Sequence, residues 1–330
     1  MKKIGIIEIY LKRNGGVVYT QQVKEVLFPK FDLEQINLEA KFFKKKRYLK
    51  YLESFYYILK LRGEKNLWIR DFYSTLLLSK KRTKGKNLAI IFHIDFLKFP
   101  LFSRVPLFLL ENFFFYRQLK KVDVIVTISE HWKNYFLKKG YKNVYKIYCG
   151  FDLDNFNITE EEISEFKKKY KLEGKPIIYL GNCQKVKGVV DSYRALKDLD
   201  AHLVTSGRRQ ANVSTLNLDL DYRDYLKLLK ASSVVITMSK FKEGWCMTAH
   251  EAMLCKTPVI GSGRGGMREL LDGGKQIACE DSKNLKKEVE YLLNHLDKRK
   301  KMGADGYSFA KEFTMERFKE NWLNLIKKII

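Results

Sequence analysis

Apolar positions along the chain come in short continuous blocks separated by amphipathic stretches. IGIIEIY (4–10) is a near-continuous apolar run, the pattern of a strand covered on both faces in a parallel sheet. NGG (14–16) punctuates it, and VVYTQQVKEVLF (17–28) reads as the following helix. The short run recurs at KNLWIR (65–70), LAIIFHI (88–94), VDVIVTIS (122–129) and VYKIYCGF (144–151), with helical stretches such as HWKNYFLKKG (131–140) between. The alternation then restarts. ITEEEISEFKKKYKL (158–172) is a helix opened by a Thr and an acidic first turn. Strands follow at PIIYLGN (176–182), AHLVTSG (201–207), SVVITMS (233–239) and TPVIGS (257–262), with helices at VVDSYRALKDL (189–199), DYRDYLKLLKA (221–231) and MTAHEAMLC (247–255), and another from Met267. From Ser282 to Ile330 the chain reads as helical throughout.

Strands alternating with helices predict an α/β protein of two Rossmann-like, parallel-sheet domains. The expected division is 1–152 and 153–311. A length of 330 residues suits two domains of ordinary size, and no Ser/Gly-rich tether separates them.

Charge changes the picture. Lys and Arg total 63 against 38 Asp and Glu, a net charge of +25. Such a field attracts nucleic acid, anionic membrane or phosphorylated ligands, although solvated surface lysines alone would also produce it. Two segments couple basic to aromatic residues: 41–65 has nine Lys/Arg, two acids and seven aromatics, and 96–121 has seven Phe. Both read as membrane-surface elements, against the alternative of core aromatics with solvated lysines. No run of about 18 uncharged apolar residues occurs, so a bilayer span is not expected. The N-terminus reads as a first buried strand rather than a signal peptide. Cys149, Cys183, Cys246, Cys255 and Cys279 are scattered and form no C-x-x-C pair, which argues against a disulfide framework or zinc site and for a reducing compartment. Asp152-Leu153-Asp154 and Asp219-Leu220-Asp221 spell D-x-D and are read as structural, with no metal expected.

The chemistry concentrates in KFKEGWCMTAHEAMLCKTPVIGSGRGGMREL (240–270). Glu243 falls on a loop that opens a helix, and Glu251 on that helix. A helix N-terminus offers unpaired N–H groups and partial positive charge, suited to a diphosphate. Carboxylates beside it suit the hydroxyls of a sugar or ribose. In the same segment Gly261, Gly263 and Gly266 spell G-x-G-x-x-G, with Glu280 downstream, which also matches a dinucleotide fingerprint. That fingerprint usually opens the first βαβ unit of its domain, and this one comes late.

E-G-W-x5-E-A-M, then T-P-V-I, then G-G-x-x-E-L, resembles the retaining glycosyltransferase family four. Lys187-Gly188 within PIIYLGNCQKVKGVVDSYRAL, VIVTISEHW, IYCGFDLDNF, His93 in IIFHI and Gly15-Gly16 match further family positions; the likeness is strong over 176–272 and thin before 120. The resemblance implies the GT-B fold, two Rossmann-like domains facing each other across a cleft. It implies an acceptor-side N-terminal domain, a donor-binding C-terminal domain, and a final helix (about 312–330) that packs back on the first.

The implied activity is metal-independent, retaining transfer of a hexose-type sugar from a UDP- or GDP-sugar to a saccharide or lipid-linked acceptor, with no cofactor. The expected setting is the cytoplasm, peripheral at an anionic membrane face. His93, Glu243 and Lys187 would be catalytic. Gly15, Gly16, Asn182, Lys187, Gly244, Trp245, Cys246, Met247 and Glu251 would bind donor, Glu251 through the ribose and Lys187 through the leaving diphosphate. His250 is read as structural. Two positions depart from the pattern: Asn182 stands where the family often has Arg, and Cys246 where it has Gly. Lys185, Arg208, Arg209 and Arg264 are the cations that would compensate. The departures leave a second reading, a catalytically weakened protein that binds nucleotide sugar or a polyanion such as nucleic acid.

Overall fold

The computed structural model describes residues 1–9, 15–43, 46, 49–94 and 114–330. The chain divides into two units, Met1–Gly150 with Met315–Ile330, and Phe151–Thr314.

The first unit contains a six-stranded, all-parallel sheet of β1 (Lys3–Glu8), β2 (Asp32–Asn37), β3 (Gly63–Arg70), β4 (Thr83–Ile90), β5 (Val124–Thr127) and β6 (Val144–Lys146), in the order β2-β1-β3-β4-β5-β6. Its interior strands bury Ile4, Ile6, Leu67, Trp68, Leu88, Ala89, Ile125 and Val126. The helix Gly15–Leu27 begins on the two glycines, which therefore lie in its first turn and not in the preceding loop. Residues 10–14 and 95–113 lie outside the described residues, so most of the basic-aromatic segment 96–121 does too.

Helix Met315–Ile329 belongs to this unit and lies along helix Gly15–Leu27. Tyr19 is the joint. Its ring meets Phe318 edge-on at 5.2 Å and approaches Trp322, while its hydroxyl donates to Ile147 O at 2.9 Å. Gly150 is needed there because a Cβ would stand 2.7 Å from the Phe318 Cβ.

The second unit repeats the architecture with β7 (Ile177–Asn182), β8 (His202–Ser206), β9 (Leu216–Leu218), β10 (Val234–Thr237), β11 (Val259–Gly261) and β12 (Ile277–Ala278), all parallel, in the order β12-β11-β10-β7-β8-β9. Two sets of three strands wind outward in opposite directions from the β7–β10 pair. Ile178, Leu180, Val234, Ile236 and Ile260 form its core with Val189, Leu196, Leu285, Val289 and Leu292 from the covering helices.

Local rules account for the helix starts. Thr159 and Glu162 form a capping box on helix Glu160–Tyr170. The two D-x-D segments are caps. Asp152 accepts from Asp154 N in a 3-10 turn, and Asp221 accepts from Asp224 N at the start of helix Tyr222–Ala231. The C-terminal stretch is not one helical run. It breaks into Leu285–Asn294, Leu296–Ala310 and Met315–Ile329 at His295 and again at 311–314.

β2, β9 and β12 have no counterpart in the apolar pattern of the sequence. Each is an edge strand; β2 (DLEQIN) has no buried residue, and β9 and β12 span three and two residues. An edge strand is held by main-chain pairing on one side and needs no continuous apolar run.

Candidate functional site

In an open parallel sheet, ligands bind beyond the carboxyl ends of the strands where the winding reverses. In the second unit that point lies between β7 and β10. The loop after β7 has Asn182 and Lys187, and the loop after β10 has Glu243 and leads into helix Met247–Leu254 with Glu251.

The two loops are pinned to each other. Gly188 has φ +78°, and a Cβ there would overlap Met238 O. Lys240 N donates to Val186 O at 3.0 Å. This brings Lys187 Nζ to 2.6 Å from Glu243 Oε1, with the Phe241 ring 4.9 Å from the ammonium. Ser239 Oγ donates to the same carboxylate oxygen at 2.5 Å. Glu243 is buried, and the Lys187 side chain is about one-third exposed (32%), so the lysine is the member of the pair open to solvent. Burial pulls the Lys187 pKa down, but the neighbouring Glu243 and Cys246 outweigh it and leave the pKa raised.

A third loop, after β11, completes the support. Glu243 N donates to Arg264 O at 3.1 Å, and Gly266 N donates to Glu243 O at 2.8 Å. Gly265 has φ +70°, and a Cβ would overlap the Glu243 carbonyl. Gly265, which is not one of the three glycines of G-x-G-x-x-G, therefore lets one main chain lie against another; of those three only Gly266 bonds Glu243. Their strand, β11, is not one of the pair at the reversal point, and Glu280 is an exposed partner of Arg268 at 3.0 Å. The geometry does not favour a dinucleotide loop.

Glu251 is held by different partners. Tyr222 Oη donates to its Oε1 at 3.2 Å, and Tyr225 Oη to its Oε2 at 2.9 Å, with the Thr248 hydroxyl 3.3 Å from the Tyr225 phenol. Burial, followed by the nearby Glu251 charge, raises the Tyr225 pKa well above the usual phenol value, so it remains a donor. Sequence reasoning missed Ser239, Tyr222 and Tyr225. The Tyr pair at i, i+3 on an amphipathic helix was the available signal.

Helix Met247–Leu254 has Cys246 at its N-cap, with no side-chain capping bond. Cys246 is a buried thiol pushed up to about 12, by burial first and by Glu243 second. Trp245 is buried and donates its indole N–H to His250 Nδ1 at 3.1 Å. His250 Nε2 lies 3.0 Å from Ala310 O, and its ring stacks on Phe151 at 3.9 Å. An indole only donates and a carbonyl only accepts, so His250 is the neutral imidazole protonated on Nε2. Burial depresses its pKa to about 3. The side chains of Trp245 and His250 thus build the core beneath the helix start, leaving the main chain of 244–247 as the part able to meet a ligand.

Asn182 is exposed at the end of β7, and its Oδ1 accepts from Ser206 Oγ at 3.1 Å. Of the cations considered in its place, Arg209 donates to Val213 O and Thr215 O, and Arg264 donates to Lys240 O. Lys185 and Arg208 are exposed. In the first unit, Gly15 and Gly16 start the helix after β1, and His93 follows β4, half-buried. Among the described residues no group of three or more His, Cys, Asp or Glu side chains is placed to hold a metal ion.

Known proteins are similar to this chain in sequence and fold. Residues 160–309 match the family model described as glycosyl transferases group 1. Spore coat protein SA of Bacillus subtilis is 26% identical over 218 residues, covering 55% of this chain and 58% of that protein. The chain is matched to about three-fifths of the length of such curated relatives. The crystallised sucrose-phosphate synthase from Thermosynechococcus elongatus superimposes with a TM-score of 0.81 at 16% identity, covering 100% of this chain and 99% of that one. HepE of Anabaena, in complex with UDP and glucose, gives 0.75 at 14% identity, covering 99% and 100%. The fold is two parallel-sheet α/β domains with GT-B glycosyltransferase neighbours. In the matched family model and in fold the chain is similar to group-1 glycosyltransferases.

Proposed function

We propose that the chain is a retaining, metal-independent hexosyltransferase that takes a sugar from a nucleotide-diphosphate donor and passes it to a saccharide or lipid-linked acceptor in the cytoplasm. The observation that carries this reading is the Lys187–Glu243 pair beside the start of helix Met247–Leu254, at the reversal point of the second sheet. A UDP-sugar or GDP-sugar fits this arrangement. The binding of UDP by HepE supports the nucleotide part of the proposal.

Transfer passes through an oxocarbenium-like state while negative charge builds on the leaving diphosphate. Lys187 and the helix N–H groups stabilise that charge where it develops. Lys187 stands in for the positive charge a metal would supply. Glu243 holds the ammonium in position and offers its carboxylate to a hydroxyl of the transferred sugar. Glu251 takes the ribose hydroxyls, oriented by Tyr222 and Tyr225. Gly15, Gly16 and His93 are assigned to the donor from the first unit on resemblance alone. Asn182 contributes no charge, so Lys187 bears more of the load in this chain.

The test is ligand-observed NMR of the purified chain against UDP, GDP, ADP, their sugars and NAD, repeated with Glu251→Ala. Binding of one nucleotide sugar, lost in the variant, is the expected result. Binding of NAD alone would overturn the reading. Salt-sensitive retention of nucleic acid with no sugar-nucleotide binding would favour the polyanion-binding alternative that Asn182 and the +25 charge suggest.

A further inference from the structure

Helix Leu49–Lys60 in the first unit has apolar residues on two faces: Ile58, Phe55 and Tyr57 pack into the core, and a second set is exposed. Leu49, Leu52, Tyr56 and Leu59 recur at the 3-4-3 spacing of a single apolar stripe, and all four are exposed, Leu52 by 63%. The only carboxylate on the helix, Glu53, is buried at the flank of that stripe, while Ser54 and Ile58 are buried on the far side. Glu53 is fully engaged there. Its Oε1 accepts from Lys41 N (2.8 Å), Phe42 N (3.0 Å) and the Tyr57 hydroxyl (2.7 Å), and its Oε2 from Phe43 N (2.8 Å). Burial would raise its pKa, yet these four bonds outweigh that and hold it well below the usual carboxylate range.

The consequence is a shaped surface. By gripping three consecutive main-chain N–H groups, Glu53 fixes the turn that presents Phe42 (85% exposed) and Phe43 (41%). Cations frame these apolar groups. Lys46 lies over the Phe43 ring, Lys50 over Tyr51 and Lys60 over Tyr56 at 4.5 Å. Beside them is a shallow cavity of about 370 Å³ lined by Lys41, Tyr57, Lys60 and Arg62. Between Ala40 and Arg62 the sequence has no acid except the inward-facing Glu53.

We propose that this face docks on an anionic lipid bilayer. Phe42, Phe43, Leu52 and Tyr56 enter the boundary of headgroups and acyl chains, and Lys41, Lys60 and Arg62 meet lipid phosphates. Apolar groups ringed by basic residues are what interfacial binding requires, because burial of the first and attraction of the second act together. A second copy of the chain fits poorly, since a two-fold contact would set the same lysines against each other with no exposed acid between Ala40 and Arg62 to separate them. The proposal does not rest on sugar transfer, and its test reads docking alone.

The experiment is co-sedimentation of the full chain with phosphatidylcholine vesicles, with and without phosphatidylglycerol, at low and high salt. Wild type should bind the anionic vesicles, less at high salt, and bind the neutral ones weakly. The variant Leu52→Ser/Tyr56→Ser, which changes only exposed groups, should lower binding by about tenfold or more. Lys298→Glu/Lys300→Glu/Lys301→Glu, a large charge change in the other unit where the Leu52/Tyr56 variant makes none, serves as control for bulk charge and should lower it far less. Equal loss in the control, or no loss in the Leu52/Tyr56 variant, would mean bulk charge alone and would overturn the proposal. So would absence of vesicle binding, or a sedimentation-equilibrium dimer that the Leu52/Tyr56 variant dissociates.

Discussion

In the second unit the buried acids Glu243 and Glu251 sit where the chain leaves β7 and β10, each held by side chains from neighbouring elements: Lys187 and Ser239 for one, Tyr222 and Tyr225 for the other. In the first unit the buried charges have other work. Arg70 bonds Asn87 Oδ1, Ser74 O and Thr83 Oγ1 and ties β3 to β4, while Glu53 holds main-chain N–H groups of a surface turn. Burial of a charge is expensive and needs partners in either unit. The difference lies in where the partnered group points. In the Lys187–Glu243 pair the lysine side chain is one-third exposed, whereas Arg70 is enclosed by the fold. Arg70 too ends a central strand, β3, so a buried charge at a strand end marks a site only where its partner side chain is partly exposed, and is a strut where its bonds are spent on the neighbouring strand.

The sharpest way to break this contrast is Glu243→Ala. Transfer should fall by about 10²- to 10³-fold, because the ammonium that faces the leaving group loses the carboxylate that positions it. Steady-state rates with the donor identified by NMR measure this, and near-wild-type turnover would place Glu243 with the struts.

His250→Phe comes next. It removes the acceptor of the Trp245 indole N–H and one of the donors to Ala310 O, and should destabilise the second unit by about 2–4 kcal/mol in urea unfolding at neutral pH. The sign of the pH effect is fixed by the direction of the shift. The folded-state pKa is depressed to about 3 from an ordinary 6.5, so this stabilisation is complete above pH 6.5 and is lost as pH falls toward 3. The His250→Phe chain should lack that acid-side slope.

Gly265→Ala should cost about 2–3 kcal/mol through its positive φ and the overlap with Glu243, and should lower activity as well. Loss of stability with unchanged turnover would show that the glycine loop does not position Glu243. Tyr225→Phe, which removes one hydrogen bond to Glu251, should cost about 1 kcal/mol and weaken donor binding by about fivefold, read by calorimetric titration. The smallest effect is local to the first unit. As pH falls from 4.5 toward 2, Glu53 takes up a proton, and hydrogen-exchange protection of the Lys41, Phe42 and Phe43 amides should fall. The second unit's amides should not follow the same titration.

Much of this was legible in one dimension. The interior strands announced themselves as apolar runs because they are covered on both faces. The edge strands β2, β9 and β12 did not, because main-chain pairing places them whatever their side chains. The break at His295 was hidden because the helices on either side of it share one polar-apolar rhythm. At the site, Glu243, Glu251, Lys187 and the glycines could be picked out by spacing. Ser239 could not, and the i, i+3 spacing of Tyr222 and Tyr225 put both on one helix face without naming Glu251 as their partner, because nothing local marks a hydroxyl as the partner of a carboxylate on another element.

The sequence by itself determined the alternation of strands and helices, the helix start at Thr159, the structural reading of the two D-x-D segments, the excess of positive charge and the cluster of chemistry in 240–270. Each of these is a property of neighbours along the chain, set by local sterics, hydrogen bonding and composition. Only the tertiary structure decided the strand orders, the tautomer of His250, the inward turn of Glu53 with its apolar stripe left outside, and the support that the glycine loop gives Glu243. Those depend on which distant groups share a dry space, and there a single unmet hydrogen bond or overlapping Cβ outweighs every local preference.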